Sequence, residues 1–224
     1  GGKIKPDFLA FGGCAQHPFH ALAAGGRAFT SGTSFSAPHA ARLHGLVRGI
    51  FERSTNLGAR VLMAHGALHP EATSCREMGW GILPEHWEKL LHTDDGSVTV
   101  LYQDTFVPRK YNILPIPIPE QLQGMVHFHW TIGALCPVDA NHPGDYTSCC
   151  IIDTFCPNLM RQTYIKKGEK SVILHAVNDQ VEIAKRTATG WKKSPLPPAT
   201  SPKKKEQDMR SQELKWDTLI KKSR

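Results

Sequence analysis

The sequence predicts an α/β protein in three stretches. A helical part with short strands covers residues 1–95, a β-rich, sandwich-like part covers 96–191, and a basic Pro/Lys-rich segment covers 192–224. Three observations carry this reading. Apolar residues recur at helical spacing mainly before residue 93. β-type runs dominate after the turn signal Asp94-Asp95-Gly96. Pro195, Pro197, Pro198 and Pro202, with Lys203-Lys204-Lys205, then give a linker composition.

Taken in order, residues 1–31 are rich in Gly and Ala and read as short strands and loops. Residues 33–53 show helical spacing, with Ala37, Ala41, Leu43, Leu46, Val47 and Ile50 apolar and Arg42, Arg48, Glu52 and Arg53 marking a wet face. A second helix is predicted over Asn56 to Leu68, stopped by Pro70. A third covers Leu83 to His92, with Pro84 tolerated in its first turn. Strands follow at 97–102, 124–132 and 171–175. In the middle one Val126, Phe128, Trp130 and Ile132 share one face and His127, His129 and Thr131 the other. Pro115, Pro117 and Pro119 confine Leu114 to Pro119 to an edge or irregular extended run. A short helix is predicted over Asp179 to Thr187, and Glu213 to Lys222 reads as a strand or a helix. No internal repeat is present.

The charge is unevenly placed. Lys192 to Arg224 holds ten Lys/Arg against four Asp/Glu, so residues 1–191 keep 17 basic and 16 acidic side chains of the chain's 27 and 20. The body is near neutral and the tail basic. A solvated linker accounts for such a tail; contact with nucleic acid, anionic lipid or an acidic partner is the sharper alternative. No run of about 18 apolar residues suggests a membrane span, and Gly1 to Asp7 lacks the apolar core of a signal peptide. Cys14, Cys75, Cys136, Cys149, Cys150 and Cys156 include no CxxC pair, which points to reduced, mostly buried thiols rather than a disulfide framework.

The sharpest motif is Gly32-Thr33-Ser34-Phe35-Ser36-Ala37-Pro38-His39-Ala40-Ala41, at a loop-to-helix junction. A serine there has its hydroxyl at the positive end of the helix dipole. Its amide is one of the unbonded donors of the first turn, able to face an oxyanion. Gly32 removes bulk before it, and Pro38 leaves the carbonyl four residues back unbonded. Ala37, Ala40 and Ala41 suit a helix buried through a packed centre.

This run resembles the nucleophile signature of the subtilisin-like serine proteases. Lys5-Pro6-Asp7-Phe8-Leu9-Ala10-Phe11-Gly12 resembles the family's Lys-Pro-Asp strand and turn, with Phe11 where Pro is usual. Leu62 to Ala67 resembles the helix after the nucleophile helix, and Gly79-Trp80-Gly81-Ile82-Leu83 the turn before the last helix of the catalytic domain. The resemblance covers residues 4–92. It implies a parallel-sheet domain with Ser34 opening a central helix, and peptide-bond hydrolysis through an acyl-enzyme on Ser34. Gly32, Thr33 and Ser34 would supply oxyanion and backbone support. The order of the triad places its Asp, its His and the oxyanion-hole Asn before residue 1, so the 224-residue chain by itself is expected to be inactive. Phe128 to Thr131, Pro137 to Asp139, Asp145 to Thr147 and Asp153 to Phe155 resemble the C-terminal extension of bacterial intracellular subtilases encoded beside AAA-type ATPases, some of them linked to phage defence. That implies a cytoplasmic bacterial enzyme, a protein or peptide substrate and an AAA-type ATPase as partner. No calcium loop, metal or other cofactor is predicted.

Other candidates weigh less. His39 is five residues along the same helix and points away from Ser34. Cys14, His17 and His20 have zinc-like spacing but lack a fourth ligand. His127 and His129 share a strand face, where packing explains them. A non-catalytic interaction module and a nucleic-acid binder acting through Lys203-Lys204-Lys205 are the alternative functions, and the neutral body argues against the second.

Overall fold

The computed structural model describes residues 4–50, 53–70, 75–108, 110–118, 120–142, 147, 151–198 and 218–224. Both helices and strands are present, in two units. One comprises Gly1–Thr105, Ile116–Cys150 and Arg210–Arg224; the other comprises Phe106–Pro115 and Ile151–Met209.

In the first unit, β1 (Phe19–Ala23) and β2 (Gly26–Thr30) form an antiparallel hairpin. Its turn is Ala24-Gly25, and Gly25 sits at φ 90°, where glycine carries no Cβ penalty. Helix α1 (Thr33–Ile50) follows directly. Only Leu43 and Val47 of α1 are fully buried. Ala37 and Ala41 are exposed, contrary to the expectation of a helix enclosed on all sides. The reason is that α1 packs its Leu43/Val47 stripe against α2 (Asn56–Gly66) and leaves its other faces open.

Helix α2 contributes more buried apolar residues to this unit than any other described element. Ala59, Leu62 and Met63 join Leu43, Val47, Ala67, Leu83 and Leu90 in one cluster. Thr55 caps its start, its side chain accepting from the Gly58 amide at 3.0 Å. The helix ends at Gly66, short of the predicted Leu68, because Ala67 is extended and Leu68 bridges Ile82 instead. A one-turn α3 (Cys75–Met78) comes next. The helix expected over 83–92 reduces to a 3₁₀ turn at Trp87–Leu90.

Of the predicted strands, that at 171–175 is present as a strand from Val172 to His175, that at 124–132 is shortened, and that at 97–102 is absent. Residues 97–102 form no strand, and Val98 and Val100 are exposed. The run at 124–132 becomes β3 (His129–Gly133), and its partner is β7 (Leu219–Ser223), near the C-terminus. The 213–222 segment is therefore a strand from Leu219 on; residues 213–217 lie outside the described residues, as do Pro119, Asp145, Tyr146 and Lys203 to Lys205. β3 and β7 lie on α2, where Leu219, Ala64 and Trp80 are buried together.

The second unit holds β4 (Arg161–Ile165), β5 (Val172–His175), α4 (Gln180–Ala188) and β6 (Lys192–Lys193). Its sheet has the order β5-β4-β6, all antiparallel. Tyr164, Leu174 and Trp191 form its core, and the Arg186 guanidinium lies 4.6 Å over the Trp191 ring. The helix predicted over 179–187 is α4, displaced by one residue. The described strands form two two-stranded sheets and one three-stranded sheet.

Candidate active site

Ser34 is the second residue of α1 and is exposed. Among the described residues no acceptor pairs with its amide or with that of Thr33, as first-turn geometry dictates. The Gly32 amide is already engaged, donating to the Gly12 carbonyl at 2.9 Å, while the Gly32 carbonyl accepts from Phe35 at 3.0 Å. Gly32 therefore supports the turn through its backbone; the amides still open are those of Thr33 and Ser34. The Ser36 hydroxyl donates to the Thr33 carbonyl at 3.0 Å and stiffens the same turn.

An aromatic run seats this turn. Phe35 stacks on Phe19 of β1 with centroids 5.1 Å apart, and Phe11 lies 6.2 Å beyond Phe19. Phe11 thus packs into the support of the serine. Gly12 is needed for space: a Cβ there would stand 2.6 Å from the Gly32 carbonyl oxygen. These supports were not legible from spacing, although Phe11, Phe19 and Phe35 recurring around Gly-rich turns was their signal.

The segments on either side of α1 and α2 run together. Leu9 and Ile82 form a parallel bridge, with the Leu9 amide on the Gly81 carbonyl at 3.0 Å and the Leu83 amide on the Leu9 carbonyl at 2.8 Å. The Trp80 amide donates to the Asp7 carbonyl at 2.8 Å. Asp7 meets Lys5 at 2.6 Å and Arg60 at 3.1 Å. Burial works to raise its pKa, but those two cations outweigh burial and hold the carboxyl below the ordinary value of 3.8. A cavity of about 350 Å³ lies beside it, lined by Asp7, Phe8, His44, Arg60 and Met63 among others, and not by Ser34.

The remaining candidates fall into place differently. His39 makes no hydrogen bond to Ser34. Cys14 is exposed rather than buried, in a turn where its sulfur accepts from the His17 amide at 3.3 Å. No group of three metal-ligating side chains occurs among the described residues, so Cys14, His17 and His20 do not assemble with a further ligand there. Burial pushes the half-buried Cys156 thiol above 9.0, away from nucleophile chemistry. His129 and Thr131 do share a face: Thr131 Oγ1 lies 3.1 Å from His65 Nδ1. Lys221, paired with Thr131 across the strands, donates to the Ala64 and Ala67 carbonyls at 2.7 and 2.9 Å. Among the described residues no helix is long and apolar enough to cross a membrane. Comparison of the chain with protein-family models, curated proteins and solved structures returns no match.

Proposed function

We propose that this chain carries the nucleophile of a subtilisin-like serine endopeptidase. Ser34 Oγ attacks the scissile carbonyl and gives its proton to a histidine held by an aspartate, both contributed from before residue 1. The same histidine returns the proton to the leaving amine, and water then releases the acyl group. The oxyanion that develops on the carbonyl is met by the open amides of the first turn, chiefly that of Ser34, with the dipole of α1 behind them.

The observation that carries this reading is an exposed serine at the second residue of an eighteen-residue helix with its own amide unpaired. The parallel bridge between Leu9 and Ile82 supports the finer reading of a partial parallel-sheet domain, since it joins the two flanking segments that carry the family resemblance.

The test is fluorophosphonate labelling followed by peptide mass spectrometry. In the longer polypeptide that supplies the histidine and aspartate, Ser34 is expected to be the labelled residue, and Ser34→Ala to abolish labelling. Loss of the nucleophile costs subtilisin about 10⁶ in kcat, and a loss of that order is expected here. A folded, unlabelled polypeptide, or label on another serine, overturns the reading.

A further inference from the structure

The β1–β2 hairpin has two different faces. Its register pairs Phe19 with Thr30 and Ala21 with Ala28 on one face, and His20 with Phe29 and Leu22 with Arg27 on the other. The first face is seated, because Phe19 stacks on Phe35 beside Ser34. The second is open. Leu22 is 95% and Phe29 65% exposed, and the His20 ring meets Phe29 edge-on at 4.8 Å. Neither edge of the hairpin has a third strand among the described residues.

Charge gives this open face a sign. No Asp or Glu occurs between Asp7 and Glu52, whereas Arg27, Arg42 and Arg48 do. Arg27 is exposed and has no ion-pair partner among the described residues. An apolar pair and an unneutralised guanidinium are thus set one strand row apart on a two-stranded ribbon, a device of marginal stability unless something covers it.

We propose that this face seats an acidic, extended segment of the polypeptide on which Ser34 acts, which rests on the peptidase reading above. Side chains two apart on an extended segment face the same way. One apolar residue then covers Phe29 and Leu22, and a carboxylate two positions away reaches Arg27, the pairing that planar guanidinium geometry favours. The backbone of the segment can add along the open hairpin edge. A polypeptide fits better than a nucleic acid, because the surface offers two large apolar anchors with one arginine and lies on a nearly neutral body.

The experiment uses the 224-residue chain and three fluorescein-labelled probes read by anisotropy: a twelve-residue peptide alternating Glu with Leu and Phe, the same peptide with Lys for Glu, and single-stranded oligo-dT. The acidic peptide is expected to bind at least about tenfold more tightly than the other two, a difference of the size one well-placed charge pair gives. Arg27→Glu should remove that preference and shift it towards the lysine peptide, a gain that a merely misfolded variant cannot show. Leu22→Ser should weaken both peptides, and Arg48→Glu should change neither. Equal binding of the two peptides, tighter binding of oligo-dT, or indifference to Arg27→Glu overturns the proposal. Peptide binding is read on the 224-residue chain and phosphonate labelling on the longer polypeptide that supplies the histidine and aspartate, so the two readings fail separately.

Discussion

The Gly32 amide donates to the Gly12 carbonyl at 2.9 Å, so the residue two before the serine is held by the loop that precedes the hairpin. Position, rather than proton affinity, is what this contact controls. The same close approach leaves no room for a side chain on Gly12.

Gly12→Ala therefore drives a methyl group against the Gly32 backbone. It is expected to lower stability by about 1–3 kcal/mol, the range for overpacking, and, on the proposed peptidase reading, to slow phosphonylation of Ser34 in the longer polypeptide. Urea denaturation and labelling rates check both effects. An unchanged labelling rate would show that Gly12 does not position the serine.

Thr55 is the start signal of α2, and Gln103 reinforces it. Gln103 Oε1 accepts from the Thr55 amide at 3.1 Å and from its hydroxyl at 2.9 Å, while Nε2 donates to the Arg53 carbonyl at 2.9 Å. Thr55→Ala is expected to cost about 0.5–2 kcal/mol, the usual range for a lost cap, and Thr55→Ser much less. Because α2 packs Ala59, Leu62 and Met63 into its unit's core, loss of unfolding free energy in urea is the measurement.

Lys221 ties β7 to the C-terminal end of α2, where unpaired carbonyls carry the negative end of the helix dipole. Lys221→Met removes two donors and leaves the Ala64 and Ala67 carbonyls short of partners. A loss of about 1–3 kcal/mol is expected, with faster hydrogen exchange in Leu219–Ser223. Unchanged exchange there would mean that backbone pairing with β3 suffices.

His65 gives that corner a pH dependence. Burial first, then the neighbouring Lys221 and His129, push its pKa below the ordinary 6.5. The unfolded chain thus binds the proton more readily than the folded one. The neutral ring's contribution is complete above pH about 6.5 and is lost as pH falls below that value and through the folded pKa. His65→Gln should flatten that part of the stability profile, read as the difference in denaturation midpoint between pH about 7.5 and 5.

Arg186 serves the other unit. Its guanidinium lies over Trp191 and its Nε donates to Glu182 at 2.7 Å. Arg186→Ala is expected to cost about 0.5–1 kcal/mol from the lost cation–π contact. The surface ion pair adds little, so Glu182→Gln should be nearly silent. Trp191 fluorescence during denaturation reports both.

Helices α1, α2 and α4 were legible in the sequence because each depends on neighbours three and four residues away and on local stop signals. The junction at Ser34 was legible for the same reason, since a glycine, a small residue and a proline around one serine act within a single turn. The pairing of β3 with β7 was not, because backbone pairing between residues so far apart leaves no local trace in either strand. Nor did the β-type run at 97–102 yield a strand, for β-propensity expresses itself only in the context of a neighbouring strand. What the sequence alone determined is the placing of Ser34 at the start of α1. What only the tertiary structure decided is how it is held: Phe35 on Phe19, Gly32 on Gly12 and Leu9 beside Ile82, contacts made by folding distant segments together.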